Sequence, residues 1–219
     1  ILILLLTYLI ANNFYKSKFA GLFSASLLSG LLFIREAATE IRPDVLQNVF
    51  WLLGVYLFLI NITAKKKHLS LSSGLIFGLA VMTNSKAAVG VALVFLYLFI
   101  SWLISRTNKK EIVVNGLLIL SGIAVVFTII AFYFYINNSF NEFFFYNYEF
   151  NLIALMEYHS RNLKEYAGVL IKSQTVFVPA GIIALLGFIK SLSSLKRLND
   201  NPSKLFIVII TIVTSSTIF

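Results

Sequence analysis

Apolar runs of about the length that crosses a bilayer recur along this chain, and short polar breaks separate them. A helix needs about 20 mostly apolar residues to span the hydrocarbon core. Of the 219 residues 59% are hydrophobic and 12% charged, against roughly 45–50% apolar and 25% charged in an ordinary soluble domain. That balance excludes a soluble enzyme. It also excludes a nucleic-acid binder, although 18 basic against 9 acidic residues leave a net charge of +9 that would otherwise suggest one. With no cysteine there is no disulfide framework, thiolate metal site or cysteine nucleophile. The two histidines, His68 and His159, are too few for a histidine cluster.

The runs predict an all-α polytopic bundle with six complete spans and two clipped ones: 1–12 (clipped), 19–38, 45–63, 69–84, 86–104, 112–136, 167–189 and 205–219 (clipped). Drawn as one helix, residues 69–104 would be about 54 Å long at 1.5 Å per residue, far beyond a core of about 30 Å. The tetrapeptide TNSK at 83–86 must therefore turn the chain. Alternating the loops puts 14–18, 64–68, 105–111 and 190–204 on one side, with twelve bases against two acids. The opposite side carries six bases against seven acids. Basic residues are retained on the cytoplasmic side, so the first set is inside. A miscounted span in the middle would scramble this segregation. The chain opens on ILILLLTYLIA and ends within the apolar run KLFIVIITIVTSSTIF, without the arrangement of a cleavable signal. It reads as one transmembrane domain, 1–219, excerpted from a longer protein.

The inner loops have the composition of topology anchors that also meet anionic membrane lipids, which leaves the outer face for chemistry. REAATEIRPD at 35–44 sets five charged side chains between two spans. On a helix Glu36 and Glu40 lie one turn apart on one face, able to share a cavity. Alternatively they pair with Arg35 and Arg42, while Asp44 caps the next helix. Ionisable groups at membrane depth are costly and tend to be kept for function. Thr83, Asn84 and Ser85 are capping types, which places Lys86 at the positive end of a helix dipole. A phosphate shared between its ammonium and free backbone N–H groups would relieve that conflict; so would snorkelling to head groups. The long outer segment 137–166 is rich in phenylalanine and tyrosine and suits either an interfacial belt or a lid. Within it His159 could transfer a proton and Arg161 bind phosphate.

These stretches in this order resemble one family. "EIRPD", then "GLIFGLAVMTNSKAAVGVALVFLYL" with its GLAxxTxxK pattern, then "FFFYNYEFN" look like the middle of a GT-C-type polytopic glycosyltransferase. The relatives are the protein O-mannosyltransferase and aminoarabinose transferase group, and the resemblance covers roughly residues 19–170. It implies inverting transfer of a sugar from a polyprenyl-phosphate donor at the outer face. The catalytic acid would lie in the family's first outer loop, expected upstream of residue 1, with Glu36, Glu40 and Asp44 as candidates within this sequence. Lys86 would meet the donor phosphate, Arg42 and Asp44 would line the outer cavity, and 137–166 would close over donor or acceptor. Here Asn84 and Ser85 separate Thr83 from Lys86, where relatives often place the lysine directly after the threonine.

The resemblance implies no cofactor and leaves a divalent metal, the sugar and the acceptor open. The expected location is a bacterial inner membrane. An O-antigen polymerase or ligase is the nearest rival, though its long outer loop should hold more arginine and histidine. A transporter should show mid-membrane Gly or Pro breaks and charges within spans, and a structural subunit is a third alternative.

Overall fold

Within lipid a backbone can satisfy its amides only as a helix or a closed barrel, and without alternating apolar and polar residues these runs suit the helix. The computed structural model describes residues 1–29, 43–64, 66–104 and 109–149. Among them there is no strand. In chain order the helices are α1 (Leu2–Tyr15), α2 (Lys18–Ser29), α3 (Pro43–Ala64), α4 (Lys67–Thr83), α5 (Ala87–Ile104), α6 (Lys109–Ile136) and α7 (Phe140–Phe144), the last continuing into a π-helical turn, Phe145–Glu149. The expected spans 167–189 and 205–219, and the second half of 19–38, lie outside the described residues.

Among the described residues two helices are long and apolar enough by composition to cross a membrane, Asp44–Ile62 within α3 and Lys109–Ile136. Their 22 and 28 residues correspond to about 33 and 42 Å. The expected helices at 1–12, 69–84 and 86–104 are found as α1, α4 and α5, with 14, 17 and 18 residues, short of the roughly 20 that a full span needs. In α6 only 17% of the most apolar window is buried, and Val113, Leu117, Leu120, Val125, Phe127 and Ile129 are exposed. A helix that is apolar all round and so little covered by protein needs an apolar medium.

The described residues up to Ile130 belong to one packed unit, and those from Ala131 onward to a second. In the first, α3 is central. Its Trp51, Val55, Phe58 and Leu59 join Phe77 of α4, Val91, Val94, Tyr97 and Leu98 of α5, and Ile119 of α6 in one core. Contacts fix the directions. Gly54 faces the Phe77 ring while Asn61 meets Ser70, so α4 runs antiparallel to α3. Trp51 packs at Gly90 and Phe58 at Tyr97, with ring centroids 5.9 Å apart, so α5 returns parallel to α3. The chain thus reverses at 84–86, as the length argument demands.

Small residues set the spacing between α4 and α6. Ser70, Gly74 and Gly78 recur every fourth position, a stripe on one helix face. Against it lie Asn115, Ile119, Gly122 and Val126 of α6. A Cβ on Gly74 would collide with the Ile119 carbonyl, and one on Gly122 would sit 2.6 Å from the Leu71 carbonyl oxygen. This is close backbone approach of the small-xxx-small kind that drives helix association in lipid. Polar bonds fasten the same seam. The Asn61 Nδ2 donates to Ser70 Oγ at 2.7 Å, Ser70 Oγ donates to Asn115 Oδ1 at 3.1 Å, and Ser73 Oγ donates to the Gly54 carbonyl at 2.8 Å. Asn61 and Ser70 are buried, and Asn61 Oδ1 has no hydrogen-bond partner among the described residues.

The second unit begins the long segment expected to be a loop, and its described part is helical. Asn138, in the left-handed region at φ 54°, makes the turn after α6. Phe143 then stacks on Phe134 with centroids 4.6 Å apart, while Phe140, Phe144, Phe145 and Tyr146 are exposed, an arrangement suited to head-group depth.

Candidate functional site

One end of the first unit brings together Asp44 and the Thr83–Lys86 turn, polar groups that the outer-face reading singled out. Helix α3 begins at Pro43, whose fixed φ and missing N–H suit a first helical position. Asp44 follows in the first turn, where a carboxylate complements the positive end of the dipole. Helix α4 arrives at the same end and stops after Thr83, because Asn84 takes extended backbone at φ −156°.

Asn84 joins the two. Its Nδ2 donates to Asp44 Oδ1 at 2.5 Å, and its Oδ1 accepts the Lys86 N–H at 3.1 Å. A carboxamide can do both at once because it carries a donor and an acceptor on one planar group. The Asn84 carbonyl also takes the Ala87 N–H at 3.1 Å, so this residue opens α5 as an Asx turn. Of the three expected caps, Thr83 acts otherwise: its hydroxyl donates back to the Leu79 carbonyl at 2.8 Å.

Lys86 is exposed at the tip of the turn and Ala87 is buried beneath it. One part of the electrostatic expectation changes. The N–H groups of Lys86, Ala87, Ala88 and Val89 all have acceptors within the turn, namely Asn84 Oδ1 and the carbonyls of Asn84, Ser85 and Lys86. A phosphate here would meet the ammonium of Lys86 and not a cradle of bare amides. The structure therefore brings Asp44 and the Lys86 turn together through Asn84. Glu36, Glu40, Arg42, His159 and Arg161 lie outside the described residues. Among the described residues no three His, Asp or Glu side chains converge on a metal-sized site.

The link through Asn84 went unseen in the sequence, where it read only as a cap. Its signal was the residue type, since an aspartate would cap equally well but could not donate to Asp44. Asn84→Asp should therefore destabilise the protein by about 1–3 kcal/mol near neutral pH, the cost of facing two charged acceptors with no donor between them. Acidification that protonates one carboxylate restores a donor and should recover the loss. Thermal unfolding in detergent across pH checks this, and an unchanged midpoint at neutral pH would show that the Asp44 contact contributes nothing.

Comparison with known proteins bears on residues 1–130, which match the family model described as dolichyl-phosphate-mannose-protein mannosyltransferase. No curated protein and no solved structure matches the chain. The matched segment holds Asp44, Asn84 and Lys86. The aromatic stretch 143–151 of the sequence resemblance lies beyond it. A match over more than half of its length establishes that this chain belongs to the dolichyl-phosphate-mannose-protein mannosyltransferase family.

Proposed function

We propose that the protein moves a sugar from a polyprenyl-phosphate donor to an acceptor hydroxyl at the outer membrane face. The observation that carries the reading is the family match across the Asp44–Asn84–Lys86 junction. In the proposed step the bond between the anomeric carbon and the phosphate oxygen breaks as the acceptor oxygen attacks that carbon. The hydroxyl proton passes to a carboxylate base, and the lipid phosphate leaves with its charge met by a cation.

Lys86 is assigned to the phosphate. Asp44, engaged by Asn84, holds the turn that presents Lys86 and acts as a positioning residue. Glu36 and Glu40 are the candidates for the base in this sequence, Arg42 adds positive charge to the outer cavity, and His159 and Arg161 belong to the closing segment 137–166. The six-span topology with two clipped ends belongs to the same proposal, as does placement in a bacterial inner membrane.

The absence of cysteine from the sequence makes a combined test clean. Membrane vesicles of one orientation carrying Ser85→Cys or Ser17→Cys are treated with a membrane-impermeant thiol reagent and supplied with polyprenyl-phosphate mannose on one side. Ser85→Cys should label, and sugar should transfer, on the face from which Ser17→Cys is shielded. Labelling of both from one side would overturn the topology, and transfer from nucleotide sugars alone would overturn the donor class.

A further inference from the structure

We infer that the lysine-rich end of the first unit holds a second phosphate-binding site, filled by the head group of an anionic phospholipid. A cavity of about 550 Å³ opens between the end of α1, the start of α2 and the last turns of α3. Asn12, Asn13, Lys16 and Lys18 line its polar side, and Tyr56 and Ile60 stand on its apolar side. The lining residues Tyr56 to Ala64 lie 12 to 20 residues beyond Asp44 on one helix, about 18–30 Å along α3 from the end that meets the Lys86 turn.

The lining contains two cations, two carboxamides and no carboxylate. Two of these side chains are engaged with each other: the Lys16 Nζ donates to Asn13 Oδ1 at 2.9 Å. The Asn12 carboxamide, the Lys18 ammonium and the Tyr56 hydroxyl have no hydrogen-bond partner among the described residues. Lys18 is also the first residue of α2, where the helix dipole opposes a cation unless an anion is bound beside it. A phosphate between Lys16 and Lys18 supplies that anion, with Asn12 and Tyr56 as additional donors. The apolar side at Tyr56 and Ile60 then receives the start of an acyl chain. Basic pockets between membrane helices on the cytoplasmic side are suited to such head groups, and this end carries Lys66 and Lys67 as well. The inference does not depend on the proposed transfer reaction.

Native mass spectrometry of the detergent-solubilised full chain, with added phosphatidylglycerol or phosphatidylcholine, tests it. The wild type should retain phosphatidylglycerol selectively. The double variant K16N/K18Q should lose that retention by about 30-fold, the product of two lysines each contributing a factor of about five; asparagine at 16 tolerates the left-handed backbone found there at φ 52°. K16R/K18R should keep it, which separates lost charge from failed folding. K66Q/K67Q, with equal charge change outside the cavity, should also keep it. Competition by inorganic phosphate distinguishes the source: displacement means that a free phosphate fills the site, and no displacement means the lipid does. Equal retention by K16N/K18Q and wild type, or equal loss in K66Q/K67Q, overturns the site.

Discussion

Replacing Lys86 by glutamine is expected to reduce sugar transfer from a polyprenyl-phosphate donor by about 10²- to 10³-fold in kcat/KM, the range seen when a single preorganised charge-stabilising group is removed from a transition state. The effect should fall on kcat more than on KM if the ammonium meets charge that develops as the phosphate departs, and on KM if it only holds the ground-state diester. Lys86→Arg should retain part of the activity, since charge persists while the rigid guanidinium fork changes its placement. Stability should not move in either variant. Lys86 is exposed, and it is its backbone N–H, unaltered by substitution, that bonds to Asn84. The measurement is single-turnover transfer alongside thermal unfolding of the same preparations. Wild-type transfer and donor affinity in Lys86→Gln would sink the phosphate assignment.

The largest structural effect should come from Gly74→Leu. The atoms nearest the added Cβ are the Ile119 carbonyl oxygen, its Cα at 2.8 Å and its carbonyl carbon at 2.9 Å, all backbone, so no rotamer change can make room. Helices α4 and α6 must move apart. The Ser70–Asn115 bond, which crosses the same interface, is then lost with the packing. Overpacking typically costs about 1–3 kcal/mol and occasionally more; with the bond the loss should reach about 3 kcal/mol or above. For a chain of this size that is a fall of roughly 6–12 °C in Tm. Gly116→Ala on α6 is the matched comparison. Its Cβ would meet only Leu98 Cδ1 at 3.6 Å, ordinary contact, and alanine favours a helix by up to about 1 kcal/mol over glycine. Its Tm should hold or rise. If both variants unfold alike, the close approach of α4 and α6 is wrong.

These two positions also show what a sequence of this kind discloses. The break at 84–86 was legible because one uninterrupted helix would exceed any bilayer, and length alone decides that. Asp44 and Lys86 stood out because charges are scarce in this chain and expensive near lipid. Their connection was not legible, because Asn84 and Asp44 are 40 residues apart and no local periodicity encodes which helix ends meet. The Ser70, Gly74, Gly78 stripe lies open in the sequence as well, yet nothing local says that α6 faces it. Apolar runs told where the described helices occur: 69–84 was expected to be helical and α4 is Lys67–Thr83, ending where Asn84 exchanges backbone regularity for its contacts to Asp44 and Lys86.

The glycine seam has a mechanical consequence. Where two backbones touch without intervening side chains, there are no rotamers to yield, and packed interfaces of this kind shift as whole bodies and do not deform continuously. Helices α4 and α6 thus form a stiff pair, with Asn84 immediately after the end of one member. The Asn84–Lys86 backbone is in effect mounted on an anvil: it can shift only when the α4–α6 pair shifts with it.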